Sequence, residues 1–219
     1  MLPTRVLLVD DDPLVRAGVR FLLDSADDLE VVGEAADGDE VVSAVKASRP
    51  DVVLMDLIMR RVDGVAATAA VRALQPPPHV IVLTTWDVDD AVVRSIEAGA
   101  SGFILKSSSR ELIAAIRAVM AGDAVLSPKS TRQLLEQWRS KSNEGADHAR
   151  TSVGRLTERE REVAAATAEG LTNNEIGKRL FLADATVKTH LASIQTKLGL
   201  RNRTQVAVTA ALGGLVSEQ

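Results

Sequence analysis

The chain reads as a doubly wound α/β domain with a five-stranded parallel sheet followed by a small all-α domain, and three observations predict this. Five short apolar runs alternate with five amphipathic stretches through residue 121, two of the runs end in acids, and beyond residue 155 every periodic stretch has helical spacing. Val- and Leu-rich runs of this kind fit strands covered on both faces, and short connections between strand and helix imply right-handed crossovers.

Taken in order, Arg5-Val6-Leu7-Leu8-Val9 is the first strand; it runs into Asp10-Asp11-Asp12, and Pro13 opens a helix to about residue 24. A strand near 29–35 and a helix near 38–48 follow. Asp51-Val52-Val53-Leu54-Met55-Asp56 is a buried strand that delivers a carboxylate, Asp56, to its exit. Then come a helix near 63–73, a strand near 79–84, a helix near 88–98, a strand near 101–105 and a helix near 109–121. In the last of these Leu112, Ile113, Ile116, Val119 and Met120 share one stripe, the signature of a helix packed on a sheet.

After Gly122 the pattern changes. Ser127-Pro128 is a helix start, so a linker helix is expected at about 128–139, and the small polar residues from Ser140 to Gly154 read as a mobile tether. This sets a first domain at 1–122, a linker at 123–154 and a four-helix domain at 155–219. In the last, Thr157-Glu158-Arg159-Glu160 is a capping box and Thr172 caps a short helix to Leu180. A third helix from about Asp184 to Leu198 stops at Gly199, and a fourth runs from Arg203 to about Leu212.

Composition narrows the function. No apolar run is long enough to span a membrane, and Met1 leads into a strand rather than a signal-peptide core, so a cytoplasmic location is expected. Without cysteine there is no disulfide, thiolate metal site or cysteine nucleophile. No P-loop, dinucleotide fingerprint or Gly-x-Ser-x-Gly elbow is present, and the three histidines are too scattered for a metal site. Residues 1–126 carry 12 basic against 20 acidic side chains, whereas residues 151–219 carry 9 against 7, a mild asymmetry of the sort that accompanies a nucleic-acid-facing module.

In the strand order 2-1-3-4-5 the carboxyl ends bring together Asp10 and Asp11, Asp56, Thr84 and Lys106. Crowded carboxylates repel, so such a cluster is held ionised by a cation, and an all-oxygen donor set suits Mg²⁺. Asp56 then fits a carboxylate nucleophile in phosphoryl transfer, with Lys106 as a second cation and the Thr84 hydroxyl as a donor to an acyl-phosphate oxygen.

On these residues (Val9-Asp10-Asp11, Met55-Asp56-Leu57 with Asp63-Gly64, Val82-Leu83-Thr84-Thr85 and Gly99 to Lys106) residues 4–121 resemble the receiver domain of bacterial two-component response regulators. The resemblance implies that Asp56 is the phosphoacceptor, that Asp10, Asp11, Asp56 and the backbone carbonyl of Ile58 hold Mg²⁺, and that Thr84 and Phe103 are a switch pair. Arg60 and Arg61 depart from it, standing where proline and often glycine are usual. Ile58 and Trp86 flank the path of a hydrolytic water, and slow autodephosphorylation is expected.

The tail carries a second pattern. Helices at 173–180 and 184–198 joined by Phe181-Leu182-Ala183 have helix-turn-helix spacing. Val187, Leu191, Ile194 and Leu198 form the inward stripe, leaving Ala185, Lys188, Thr189, Ala192, Ser193 and Thr196 outward, a small hydrogen-bonding face that a major groove can admit. Leu156 to Glu160, Gly170 to Ile176, Ala185 to Leu191 and Lys197-Leu198-Gly199 are similar to the LuxR-type DNA-binding domain, and the two domains together resemble the NarL/FixJ class. That resemblance places Lys188 and Thr189 at base-contacting positions, Thr186, Asn174 and Lys197 near phosphates, and Val206 and Ala207 on a dimer surface. Ala183 and Gly177 depart from it, with Asp184 as a substitute cap.

Together these readings predict a DNA-binding transcription regulator, not an enzyme. A sensor histidine kinase would phosphorylate it on Asp56, and it would bind double-stranded DNA as a homodimer. A regulator that binds DNA independently of phosphorylation is the alternative, and the Arg60-Arg61 loop keeps it open. A Mg²⁺-dependent aspartyl-phosphate phosphohydrolase would want a second acid where Ile58 stands.

Overall fold

The computed structural model describes residues 2–84, 89–106, 109–123, 125 and 143–216. The expected linker helix at about 128–139 and Trp86 lie outside them. The chain divides into two compact units, Met1–Met120 with Val125–Ser130, and Ala121–Ala124 with Thr131–Gln219.

In the first unit β1 (Thr4–Val9), β2 (Leu29–Ala35), β3 (Val52–Asp56), β4 (His79–Thr84) and β5 (Gly102–Leu105) form a parallel sheet in the order β2-β1-β3-β4-β5. They alternate with α1 (Pro13–Leu23), α2 (Val41–Ser48), α3 (Gly64–Arg72), α4 (Asp89–Ala98) and α5 (Ser109–Ala121). Side chains alternate along a strand, so one parity (Val6, Leu8, Val52, Leu54 and Ile81) packs with Leu23 of α1 and with Leu112 and Ile116 of α5. The opposite parity, Leu7, Val9, Val53, Met55, Val80 and Val82, is buried as fully. Burial on both faces is why these strands show no polar alternation in sequence.

α2 starts later than the expected residue 38. Residues 37–40 are spent on a turn, with the Gly38 N–H donating to the Asp37 carboxylate at 2.8 Å and the Glu40 N–H to the Asp37 carbonyl at 3.1 Å.

The second unit contains α6 (Asn143–Gly154), α7 (Glu158–Ala168), α8 (Asn173–Leu180), α9 (Asp184–Leu198) and α10 (Arg203–Leu212). Both expected caps form: Thr157 and Glu160 exchange bonds at the start of α7, and Thr172 and Glu175 do so at α8. Leu156, Val163, Ile176, Val187, Leu191, Ile194, Val206 and Ala210 make the core. The expected tether differs, because residues 143–154 are helical. Ala149, Ser152 and Val153, at spacings of three and four, are buried, and Arg161 donates to the carbonyls of Val153 and Gly154 at 3.3 and 3.2 Å. Buried positions filled by alanine and serine are hidden in a polar composition. No helix among the described residues is long and apolar enough to cross a membrane.

Candidate functional site

The parallel ladder sets the site. β1, β3, β4 and β5 are neighbours, and backbone bonds continue past their ends: Asp10 N–H to Ala35 carbonyl (3.2 Å), Leu57 N–H to Leu83 carbonyl (3.0 Å) and Lys106 N–H to Thr84 carbonyl (2.7 Å). The residues after each strand are therefore fixed by the sheet rather than by loop chance. Carboxylate oxygens of Asp10, Asp11 and Asp56 lie within 4.8 Å of one another. Three hard oxygen donors converging in this way fit a divalent cation such as Mg²⁺.

The acidic triplet divides by role. Asp12 caps α1, its Oδ1 accepting the Leu14 N–H at 2.8 Å, with Pro13 as the first helical residue. Asp10 and Asp11 are left for the cluster.

Lys106 holds the cluster from inside. Its Nζ lies 2.6 Å from Asp10 Oδ2 and 2.8 Å from Asp56 Oδ1, and its side chain is 13% exposed. Asp56 Oδ1 also accepts the Leu57 N–H at 2.9 Å. Burial raises the Asp56 pKa above the ordinary carboxylate range, with the Lys106 bond and charge opposing and the Asp10 charge adding. Burial would lower that of Lys106, but its bonds to Asp10 and Asp56 outweigh it and the ammonium is held charged.

Thr84 ends β4 buried beside Leu105 of β5. Phe103 is 3% exposed, so its ring already points inward. Ile58 is 60% exposed beside the site.

The loop after Asp56 is where the sequence departs from its resemblance, and a residue that the sequence reading passes over holds it. Asp37, buried, accepts the backbone N–H of Arg61 at 3.0 Å through Oδ2 and that of Val62 at 3.0 Å through Oδ1. Burial would raise the Asp37 pKa, but these bonds, with that from Gly38, hold it below the ordinary range. The one signal in the sequence is an Asp-Gly pair between β2 and α2, which by itself reads as a turn. Gly64 closes the loop's other end, where a Cβ would sit 2.1 Å from the Asp56 carbonyl oxygen, so only glycine lets α3 start there. The Arg61 guanidinium pairs with Asp39 and Glu40 at 2.9 and 2.7 Å and, through Nε, with Asp37 at 3.5 Å. Arg60 turns to Asp11, Nε to Oδ2 at 3.1 Å.

In the second unit Val187, Leu191 and Ile194 are buried and Leu198 is partly so, as the stripe requires. Ala185, Thr186, Lys188, Thr189, Ala192 and Thr196 are exposed, as is Asn174 at the start of α8. Lys188 pairs with Asp184 one turn earlier at 3.1 Å, both half-exposed.

Four expectations change. Ser193 is partly buried and donates to Glu160 Oε1 at 2.8 Å, so it supports the core rather than the outer face. Lys197, exposed on α9, bonds both Glu160 oxygens at 2.7 Å, so its ammonium already has an ionic partner within the unit. Asp184 does not cap α9: Ala183 is the cap residue and makes no side-chain bond, while Asp184 is the first helical residue, placed where a negative charge favours the helix dipole. Val206 is 1% exposed within the core and is unavailable as a surface, because α10 packs against both α7 and α6. Gly177 has a local reason: a Cβ there would lie 2.7 Å from the Leu182 carbonyl oxygen, at the turn into α9.

Comparison with known proteins agrees on both units. Residues 6–117 match the response regulator receiver domain, and residues 154–210 match the luxR family of bacterial regulatory proteins. The chain is 42% identical to the transcriptional regulatory protein LiaR of Bacillus subtilis over 97% of its own length and 99% of that protein. It is 36% identical to the response regulator protein VraR of Staphylococcus aureus over 97% of its length and 98% of that protein. Among solved structures, the response regulator ChrA of a heme-sensing two-component system shares 37% identity with a TM-score of 0.53, over 98% of this chain and 100% of that one. On the sheet order, the strand-end acids and these matches, the chain belongs to the two-component response regulators that join a receiver domain to a LuxR-type DNA-binding domain, a family of transcription regulators and not of enzymes.

Proposed function

We propose that Asp56 is the phosphoacceptor through which a sensor histidine kinase controls DNA binding by α9. One observation carries this: the Lys106 ammonium bridges Asp10 and Asp56 within a three-carboxylate cluster at the strand ends. A carboxylate oxygen of Asp56 forms the new O–P bond as the P–N bond of a phosphohistidine breaks. Asp10, Asp11, Asp56 and the Ile58 backbone carbonyl would hold Mg²⁺, which when bound supplies charge neutralisation at the phosphoryl oxygens. Lys106 stays beside the acceptor and pairs with the phosphoryl group as the Asp56 carboxylate charge is consumed. Thr84, buried at the end of β4, is the hydroxyl donor to that group, and Phe103 is its switch partner on β5.

On the DNA side, Lys188 and Thr189 face the base edges, with Thr186 and Asn174 near phosphates. A single exposed lysine on the recognition face leaves most affinity to further phosphate contacts and to a homodimer. Two exposed apolar residues of α1 on one face, Leu14 and Phe21 at 81% and 82%, support a self-association surface on the receiver.

The reading is tested by Mg²⁺-dependent labelling with a small acyl phosphate. Wild type takes up label and Asp56→Asn does not; equal labelling of the two would overturn the acceptor assignment.

A further inference from the structure

Arg60 is the residue at the site that the proposed chemistry does not use. Its backbone has little freedom, because the next two N–H groups of the loop are held by the buried Asp37 carboxylate. Its side chain reaches from the exit of β3 back to the exit of β1 and rests on Asp11, with Nε 3.1 Å from Oδ2. The guanidinium side chain is 82% exposed and the Asp11 side chain 25%. Asp10 and Asp56 share the inner cation, Lys106. Asp11 is therefore the member of the cluster whose charge is met from outside, by a long side chain in contact with water.

From this we infer that Arg60 is a resident counter-ion of Asp11 that a divalent cation must displace, so that it sets the cation concentration at which the site loads. The inference rests on the reading that Asp10, Asp11 and Asp56 hold Mg²⁺. Two opposing requirements give the residue its use. Without a cation, three carboxylates within 4.8 Å of one another face one lysine and repel; Arg60 offsets part of that repulsion. When the cation arrives, Asp11 must give up its ion pair to serve as a ligand. An exposed ion pair of this kind shifts an equilibrium by about two- to five-fold, small enough to yield to Mg²⁺ and large enough to move the loading midpoint. Proline at this position, as the resemblance would have it, has no charge to compete with.

Arg61 provides the control. It carries the same charge one residue away, yet its guanidinium goes to Asp37, Asp39 and Glu40. Its backbone N–H anchors the loop on Asp37, and its Nε pairs with the same carboxylate at 3.5 Å, away from Asp11. Removing either arginine changes the net charge near the site equally, and only Arg60 touches Asp11.

The test is calorimetric titration of Mg²⁺ into the full chain without phosphodonor, comparing wild type, Arg60→Ala, Arg60→Lys and Arg61→Ala. Arg60→Ala is expected to bind Mg²⁺ two- to five-fold tighter at low ionic strength, with the gap closing at about 1 M salt as the pair is screened. Arg60→Lys should stay near wild type, and Arg61→Ala should shift by less than half as much as Arg60→Ala. The Mg²⁺ midpoint for acyl-phosphate labelling should move with the calorimetric value. Equal Mg²⁺ affinity in wild type and Arg60→Ala, or an equal shift in both alanine variants, would overturn the inference. Absence of Mg²⁺ binding in every variant would instead overturn the metal-site reading beneath it.

Discussion

The acid cluster and the recognition face of α9 are built in opposite ways. At the cluster each functional atom is tied down by the fold: Asp56 ends a strand and Asp10 and Lys106 follow strand ends, all extended by backbone bonds, and Lys106 bonds both acids. On α9 the outward residues have only partners on their own helix, Lys188 with Asp184 and the Thr189 hydroxyl with the Ala185 carbonyl. Ala185, Thr186, Lys188, Thr189 and Ala192 are exposed while Val187, Leu191 and Ile194 hold the core. Chemistry at a reacting atom needs preorganisation, whereas groove recognition needs a rigid helix carrying side chains free to meet a partner. Damage to the cluster should therefore abolish a reaction, and damage to the outer face of α9 should only grade an affinity.

The two regions should also fail separately. Ile194→Ala removes a fully buried side chain from the helical unit's core and is expected to cost about 2–5 kcal/mol. Thermal unfolding followed by circular dichroism should show the helical unit melting early while Asp56 still takes up label. Loss of labelling in step with that melting would break the separation.

Acid should act on the same unit through Glu160. Burial would raise its pKa, but bonds from Lys197, the Thr157 backbone and hydroxyl and Ser193 outweigh it and bring it to about 2. A depressed folded-state value adds stability that is present above the ordinary carboxylate value and lost as pH falls toward the folded one. The contribution, on the order of 2 kcal/mol, should be intact above about pH 4.5 and gone near pH 2. Chemical denaturation of wild type and Glu160→Gln across that range checks it: the two should converge as pH falls, and a constant gap would contradict the assignment.

Lys188→Ala should reduce specific DNA affinity by about 1–3 kcal/mol with the fold unchanged. A salt-controlled shift assay measures this, and unaltered binding would remove Lys188 from the contact set. The smallest effect is expected for Lys197→Ala. Since its ammonium is bound to Glu160, it should lower stability but leave the salt dependence of DNA binding nearly unchanged. A slope reduced by about one contact would restore Lys197 to the phosphate backbone.

How much of each region is legible in the sequence follows from the same contrast. The strands and the site acids stand out because continuous apolar runs end in charges, and Thr157 and Thr172 announce their helices by cap spacing. Asp37 stays hidden because its work is done by accepting N–H groups from a loop more than twenty residues away, and no local pattern encodes such a contact. Ser193 misleads for a related reason, and so does Val206, which the resemblance put on a surface. Position on a helical wheel separates in from out only when one side is covered, and in the structure Glu160 reaches under α9 while α6 covers a second side of α10. α6 itself is disguised by its polar residues, since the buried positions among its described side chains are Ala149, Ser152 and Val153.

That phosphorylation at Asp56 governs DNA binding by α9 is tested most directly by affinity at fixed salt for one duplex selected by the full chain from a random pool. Wild type treated with a small acyl phosphate and Mg²⁺ should bind more tightly than untreated wild type, and Asp56→Asn should bind alike with and without treatment. Equal affinity of treated and untreated wild type would contradict the account and favour a regulator that binds DNA independently of phosphorylation.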